Sequence, residues 1–117
     1  MKAIIIKNAT KKKLLSRNVI YAENAVSKVI GLMFSRNQEK SLIFKFNEEK
    51  IIALHMFFVF YKIDVLFLDK NKIVVDSKEK FRPFTFYKSK EKAMYAIEFP
   101  NGAIKESKTE IGDKIEF

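Results

Sequence analysis

"LHMFFVFYKIDVLFLDKNKIVV", residues Leu54 to Val75, is the most apolar part of the chain and holds its only histidine, His55. Within and just beyond it, "KIDVLFLDKNKIVVDSK" gives the clearest local signal. The apolar runs Val65–Leu68 and Ile73–Val75 flank Asp69, Lys70, Asn71 and Lys72, and Asn71 tolerates a left-handed conformation, so the segment reads as a short hairpin. Side chains alternate along a strand, so Ile63, Val65 and Phe67 point one way and Asp64, Leu66 and Leu68 the other. Both sets are mostly apolar, and the strand is therefore expected to be central and covered on both faces. The span Ile51 to Leu68 approaches the length of a membrane helix, but His55, Lys62 and Asp64 interrupt it. A charge near a bilayer centre costs about 2.5–3.5 kcal/mol on insertion scales, so the core of a water-soluble domain is the better reading.

Working outward, "KAIIIK" and "LLSRNVIY" read as two short strands joined by "NATKKK". "ENAVSKVIGLMFSR" carries Ala25, Val26, Ile30 and Met33 near helical spacing, with Glu23 or Asn24 able to start a helix and Gly31 near its end. "KSLIFKF" is expected to be a strand followed by the polar turn "NEEK". Pro83 demotes the segment around it to a loop or an edge, because proline cannot donate to a ladder. "AMYAIEFP" gives a further strand, with Ala93, Tyr95, Ile97 and Phe99 on one face and Glu98 on the other. Turns at Asn101–Gly102 and Gly112–Asp113, with one helical turn between them, lead to a last short strand.

A chain of 117 residues with 48% apolar and 14% aromatic content is read as one globular domain spanning residues 1–117. It has no cysteine, which removes disulfides, thiolate nucleophiles and sulfur ligands together. The start, "MKAIII", is too short an apolar stretch for a signal peptide, and a cytoplasmic location is expected.

The formal charge is +9, and it is unevenly placed. Residues 1–22 carry Lys2, Lys7, Lys11, Lys12, Lys13 and Arg17 and no acid, while "KEKFRPFTFYKSKEK" (Lys78–Lys92) sets six bases against Glu79 and Glu91. Such blocks attract phosphates or acidic partners through long-range fields, although a merely solvated lysine-rich surface has the same composition. In the second block Phe81, Phe84, Phe86 and Tyr87 interleave with Arg82, Lys88 and Lys90. Aromatic rings beside bases can stack unpaired nucleotides while holding phosphates; the same rings could equally fill the end of a core around Pro83. Arg36 could neutralise an acid or grip an anion.

Catalytic signatures are sparse. A catalytic zinc needs about three ligands, and one histidine without cysteine leaves only carboxylates, so no metal and no cofactor are expected. Gly31, Gly102 and Gly112 are isolated, which gives no phosphate-cradling loop, and no Ser lies in a Gly-x-Ser-x-Gly elbow. The weak catalytic candidates are His55, Asp64 and Glu98. His55 and Asp64 on adjacent strands would form a carboxylate–imidazole pair able to act as a general base. The plainer alternative is a buried histidine hydrogen-bonded to backbone, with Asp64 capping a loop.

The order "GLMFSR" (Gly31–Arg36), "LIFKF", "HMFFVFYKIDVLFLDKNKIVV", "YAIEFPNG" and "IGDKIEF" resembles the uncharacterised family catalogued as domain of unknown function 192, particularly its archaeal-type members, over essentially the whole chain. Ser35 before Arg36, Pro83–Phe84 in place of Pro-Trp, and Ser41 in place of a glycine depart from the family's usual pattern. The resemblance implies an α+β, β-rich single domain with a strongly curved, barrel-like sheet and one main helix packed against it; it implies no established activity. The reading that follows is a small cytoplasmic, non-catalytic binding or interaction domain with a basic surface for an anionic partner, nucleic acid or an acidic protein. The residues nominated for that surface are Lys11, Lys12, Lys13, Arg36, Arg82, Phe84, Phe86, Tyr87 and Lys88. The alternative is an enzyme or small-molecule binder with a pocket near His55, Asp64 and Glu98. No membrane partner is expected, and the sequence carries no signal of oligomeric state.

Overall fold

The computed structural model describes residues 4–23, 40–55 and 61–117, without the side chains of Ala22, Glu23 and His55. The helix expected around Ala25–Met33, together with Gly31 and Arg36, lies outside the described residues. The strands in chain order are β1 (Ile6–Asn8), β2 (Lys13–Ser16), β3 (Val19–Glu23), β4 (Ser41–Lys50), β5 (Ala53–His55), β6 (Ile63–Leu68), β7 (Val74–Phe81), β8 (Phe86–Lys88), β9 (Ala93–Pro100) and β10 (Ile115–Glu116). One short helix, α1 (Ala103–Ser107), follows β9.

The strands form a five-stranded sheet of order β3-β4-β9-β6-β7, a three-stranded sheet β10-β1-β2 and a two-stranded ribbon β5-β8. Among the described strands only β3 and β4 run parallel; β9 pairs antiparallel with β4 and β6, and β6 with β7. The five-stranded sheet ends at β3 and β7, which do not pair with each other, so among the described strands it is open rather than a closed barrel.

Strand β6 occupies the expected interior place, with all six residues buried. Ile63, Val65 and Phe67 join Leu42, Phe44 and Phe81 on one face, whereas Leu66 and Leu68 join Ile43, Ile97 and Phe99 on the other. The two-sided apolar pattern of "IDVLFL" thus corresponds to two separate apolar clusters. Each fully buried Leu, Ile or Phe contributes about 1.5–3 kcal/mol relative to exposure, which makes β6 the strand with most to lose. In β9, Tyr95, Ile97 and Phe99 share one cluster as expected, but Ala93 belongs to the opposite one. The register of β9 against β4 slips there, from Lys45↔Tyr95 to Lys50↔Ala93.

Three local expectations are corrected. "NEEK" is not a turn but the end of β4, and its extra residues are taken up in the same register slip. "LLSRNVIY" is not one strand: it breaks at Arg17–Asn18 into β2, which pairs with β1, and β3, which pairs with β4. In the β6–β7 hairpin the left-handed residue is Lys72, with φ 64°, not Asn71. The Asp69 carboxylate accepts hydrogen bonds from the Asn71 and Ile73 amides, an Asx-type turn that moves the positive φ to the following position. The Lys72 ammonium lies 3.9 Å from the Phe117 ring centroid and donates to the Phe117 carbonyl, contacts that offset the strained backbone.

Candidate binding surface

Asp64 lies on β6 between β7 and β9, and its buried carboxylate is engaged by backbone. Oδ1 accepts from the Lys80 amide at 3.1 Å, and Oδ2 accepts from the Gly102 and Ile104 amides at 3.1 and 3.0 Å. The first contact holds a bulge at Lys80, which has φ 53° inside β7. The second pair caps α1 from a distant strand, because Gly102 at its N-terminus has no side chain to do so. Asp64 is therefore a loop cap, as the plainer reading anticipated.

The expected convergence of His55, Asp64 and Glu98 is not what the strand order gives. His55 sits on β5, whose partner is β8, with His55 opposite Phe86, so it and Asp64 are not on adjacent strands. The His55 side chain lies outside the described residues. Across β6 and β9 the register pairs Asp64 with Phe99 and Val65 with Glu98. Directly paired residues share a face and successive residues alternate, so Asp64 and Glu98 point to opposite faces of the sheet. Glu98 is 7% exposed and lines a small cavity of about 10 Å³ with Lys40, Leu42, Tyr61 and Ile63. That volume is about one water molecule. The Tyr61 hydroxyl in its wall is buried without a hydrogen-bond partner among the described residues, a feature no sequence motif signalled.

The basic-aromatic block takes a different form. β7 ends at Phe81, Pro83–Phe84 makes a turn, and β8 returns beside β5. Alternation along β8 sets Phe86 and Lys88 outward and Tyr87 inward. Phe86 is 65% exposed and Phe84 63% exposed, and Arg82, Lys88 and Lys90 are exposed near them in the chain. Phe84 has φ 62°, a costly conformation for a large side chain, and the Thr85 hydroxyl donates to the Arg82 carbonyl across this turn at 2.6 Å.

Tyr87, read from the sequence together with these rings, is turned inward instead. It packs on Phe67 and Phe81 at centroid distances of 5.7 and 6.4 Å, and its hydroxyl donates to Asp76 Oδ2 at 2.7 Å. Burial, reinforced by the Asp76 carboxylate, pushes its phenol up to about 12. Asp76 also accepts the Ser77 and Lys90 amides, so this buried acid ties β8 and the turn after it to β7. Tyr87 anchors the ribbon rather than facing solvent as Phe86 does.

Lys11 is engaged within the fold. Its ammonium is 3.0 Å from Glu110 and 3.0 Å from Asp113, joining the turn after β1 to the turn before β10. Asn8, buried, donates to Thr109 Oγ1 and to Asp113 Oδ2, both at 2.9 Å. Burial alone would raise the Asp113 carboxyl, but bonds from Asn8, the Glu110 amide and Lys11 hold it below its ordinary value. Lys12 and Lys13 are exposed beside this closure, which sequence reasoning missed because its partners lie about a hundred positions apart. The two basic blocks thus differ: the first is partly neutralised by the chain's own acids, while the second carries the exposed rings.

Where the ribbon meets the Ile51 and Lys90 segments, an open groove of about 890 Å³ is lined by Ile51, Val75 and Ile111 with the charged residues Asp69, Asp76, Glu91, Lys90 and Lys92. Among the described residues no three His, Cys, Asp or Glu side chains gather as metal ligands would, and no helix is long and apolar enough to cross a membrane.

Comparison with known proteins adds family and fold. Residues 5–117 match the family model DUF192, described as uncharacterized ACR. A UPF0127 protein of Thermococcus sibiricus is 39% identical over 112 residues, covering 94% of this chain and 72% of that protein. A UPF0127 protein of Pyrococcus furiosus is 38% identical over 112 residues, covering 94% and 95%. Among solved structures, a protein of unknown function from Novosphingobium aromaticivorans superposes with a TM-score of 0.82 at 19% identity, over 98% of this chain and 85% of that one. A candidate transcription regulator from Sinorhizobium meliloti does so with a TM-score of 0.79 at 20% identity, over 99% and 95%. These two likenesses are of fold.

Proposed function

The chain belongs to the DUF192 family, and we propose that it is a non-catalytic binding domain, acting in the cytoplasm, that receives an anionic partner on the β5–β8 ribbon. One observation carries this reading: Phe84 and Phe86 stand 63% and 65% exposed among exposed Arg82, Lys88 and Lys90, while Tyr87, next to Phe86, is tied inward. Large exposed rings are unfavourable to leave in water, and their concentration on a ribbon bordered by bases favours an interaction surface over a merely solvated one. The catalytic alternative is less well supported, because Asp64 is engaged by three backbone amides and Glu98 lies across the sheet from it. The description of the Sinorhizobium meliloti protein would suit a nucleic-acid partner, although at 20% identity the likeness is one of fold.

Retention on an immobilised polyanion such as heparin tests the reading. The wild-type protein should be held at low salt and released as salt rises, and a double substitution Arg82→Gln, Lys88→Gln should elute earlier than Lys12→Gln, Lys13→Gln. Passage of the wild type without retention at low salt, or equal shifts for both double variants, would remove the ribbon from consideration.

A further inference from the structure

We infer that β2 is an open sheet edge that receives an acidic, extended peptide segment as an added strand. The orientation of its backbone follows from a hydrogen bond on the far side of β1. The Ala9 amide donates to the Lys114 carbonyl at 2.8 Å, so Ala9 and, by alternation, Lys7 bond toward β10, whereas Asn8 bonds toward β2. Lys13 stands opposite Asn8 and therefore bonds to β1, while Leu14, opposite Lys7, turns its amide and carbonyl away from β1. Among the described strands none lies beyond β2, so these two groups point out of the sheet. The Leu14 side chain is 44% exposed. Its neighbour Leu15 packs with Ala103 of α1 on the inner apolar cluster, so α1 approaches β2 from the inner face.

The charge at this edge is positive. Lys12 and Lys13 precede Leu14 and Arg17 follows it, all exposed, and among the described residues none of the three has an ion pair. Of the acids on neighbouring elements, Glu110 and Asp113 are held by Lys11, and Glu116 lies two strands away opposite Lys7. The α1 segment adds exposed Lys105, Glu106 and Lys108. A second copy of β2 would set like charges against each other, which is how natural edges avoid self-pairing. Nucleic acid would meet the bases but has no amide and carbonyl at strand spacing to match those of Leu14. An acidic peptide satisfies both demands: its backbone pairs with Leu14, its carboxylates face Lys12, Lys13 and Arg17, and an apolar side chain covers Leu14. The turn before β2 is fixed in advance, since the Asn8 side chain accepts from the Lys11 amide and donates to Thr109 and Asp113. Little ordering is then left for the partner to bring about. This edge belongs to a different sheet from the β5–β8 ribbon, and its partner is independent of the one proposed there.

Amide exchange followed by NMR tests the edge itself. In the protein alone the Leu14 amide should exchange fast and the Lys13 amide slowly, and saturation with peptide should protect Leu14. Protection of Leu14 without peptide would overturn the inference. The probe is a labelled octapeptide of alternating Glu and Val, titrated by fluorescence anisotropy. N-methylation of all its amides leaves its charge unchanged and removes the backbone pairing, and should weaken binding about tenfold or more. The double substitution Lys12→Gln, Lys13→Gln should weaken binding of the unmodified peptide about 2- to 30-fold, whereas Arg82→Gln, Lys88→Gln should bind it as wild type does. Equal affinity for the N-methylated peptide would show attraction by charge alone and overturn the inference, as would equal losses in the two double variants. Absence of peptide binding would overturn it too, while leaving the ribbon reading intact. Failure of the heparin test would remove the ribbon and leave this edge standing.

Discussion

Tyr87→Phe is the sharpest test of the claim that one aromatic of the basic block is an anchor. The substitution keeps the ring against Phe67 and Phe81 and removes only the hydroxyl that donates to Asp76 Oδ2 at 2.7 Å. A hydrogen bond to a charged acceptor contributes about 1.5–3 kcal/mol. Asp76 would keep the Ser77 and Lys90 amides, so it would not be left without donors, and the expected loss at neutral pH lies near the lower end, about 1.5 kcal/mol. The pH dependence is the stronger part. Burial and Asp76 push the Tyr87 phenol up to about 12, above the ordinary value of 10.0. Between those limits the native state keeps a proton that the unfolded chain releases, so stability falls as pH rises through the window and is fully present below it. With about 1.4 kcal/mol per pH unit, discounted for the ring's partial exposure, the advantage of wild type over Tyr87→Phe should narrow by about 1–2 kcal/mol across it. Urea titrations of both proteins at steps from neutrality to pH 11.5 measure this, with the other tyrosines and the lysines common to both. A gap that stays constant with pH, or no gap at neutrality, would refute the anchoring role.

Other substitutions address the scaffold. Phe67→Ala, at a fully buried position in β6, should cost about 3–5 kcal/mol by urea titration; a loss below about 1 kcal/mol would contradict its central place. Asp64→Ala should leave the Lys80, Gly102 and Ile104 amides without their acceptor, and hydrogen exchange should show those three losing protection together. Independent behaviour of Lys80 and Ile104 would separate the two roles assigned to that carboxylate. Asp113 has a lowered carboxyl pKa, so its contribution is present above the unfolded value of roughly 3.9 and is lost as pH falls through the native one. The acid limb of the stability profile should therefore be shallower in Asp113→Asn than in wild type, and identical slopes would show that the Asn8–Asp113–Lys11 closure contributes little.

The parts of the fold legible in the sequence are those fixed by nearest neighbours along one strand. "IDVLFL" is apolar on both alternating faces, and only a strand with clusters on both sides satisfies that pattern, as β6 does. "AMYAIEFP" was legible in its bounds, Ala93–Pro100, but not in its face at Ala93, which the register slip against β4 turns to the opposite cluster. Illegible features depend on partners far away in the chain. "NEEK" has turn composition, yet pairing of β4 with β9 carries the strand through it. The break at Arg17–Asn18 leaves no mark in composition, because β2 and β3 differ only in which sheet they join.

The same distinction governs the site. "FRPFTFYK" shows four aromatics among bases, and composition treats them alike. Period-2 alternation separates Phe86 from Tyr87, but which of the two faces inward depends on a buried carboxylate eleven positions earlier, Asp76. Phe81 is settled by β7 reaching the interior, and Phe84 by a left-handed turn residue that no local preference of phenylalanine would select. Asp64 illustrates the converse case. A carboxylate inside an otherwise apolar strand must find donors or remain costly, so its burial was readable while the identity of its donors was not. The donors lie 16 to 40 positions away on β7 and at the start of α1, where the chain would otherwise leave amides unmatched. An acid in a core strand is thus explained by backbone demand before catalysis is invoked. By the same reasoning, the large rings that the fold leaves 63% and 65% exposed on a ribbon bordered by bases are where an external partner is to be sought.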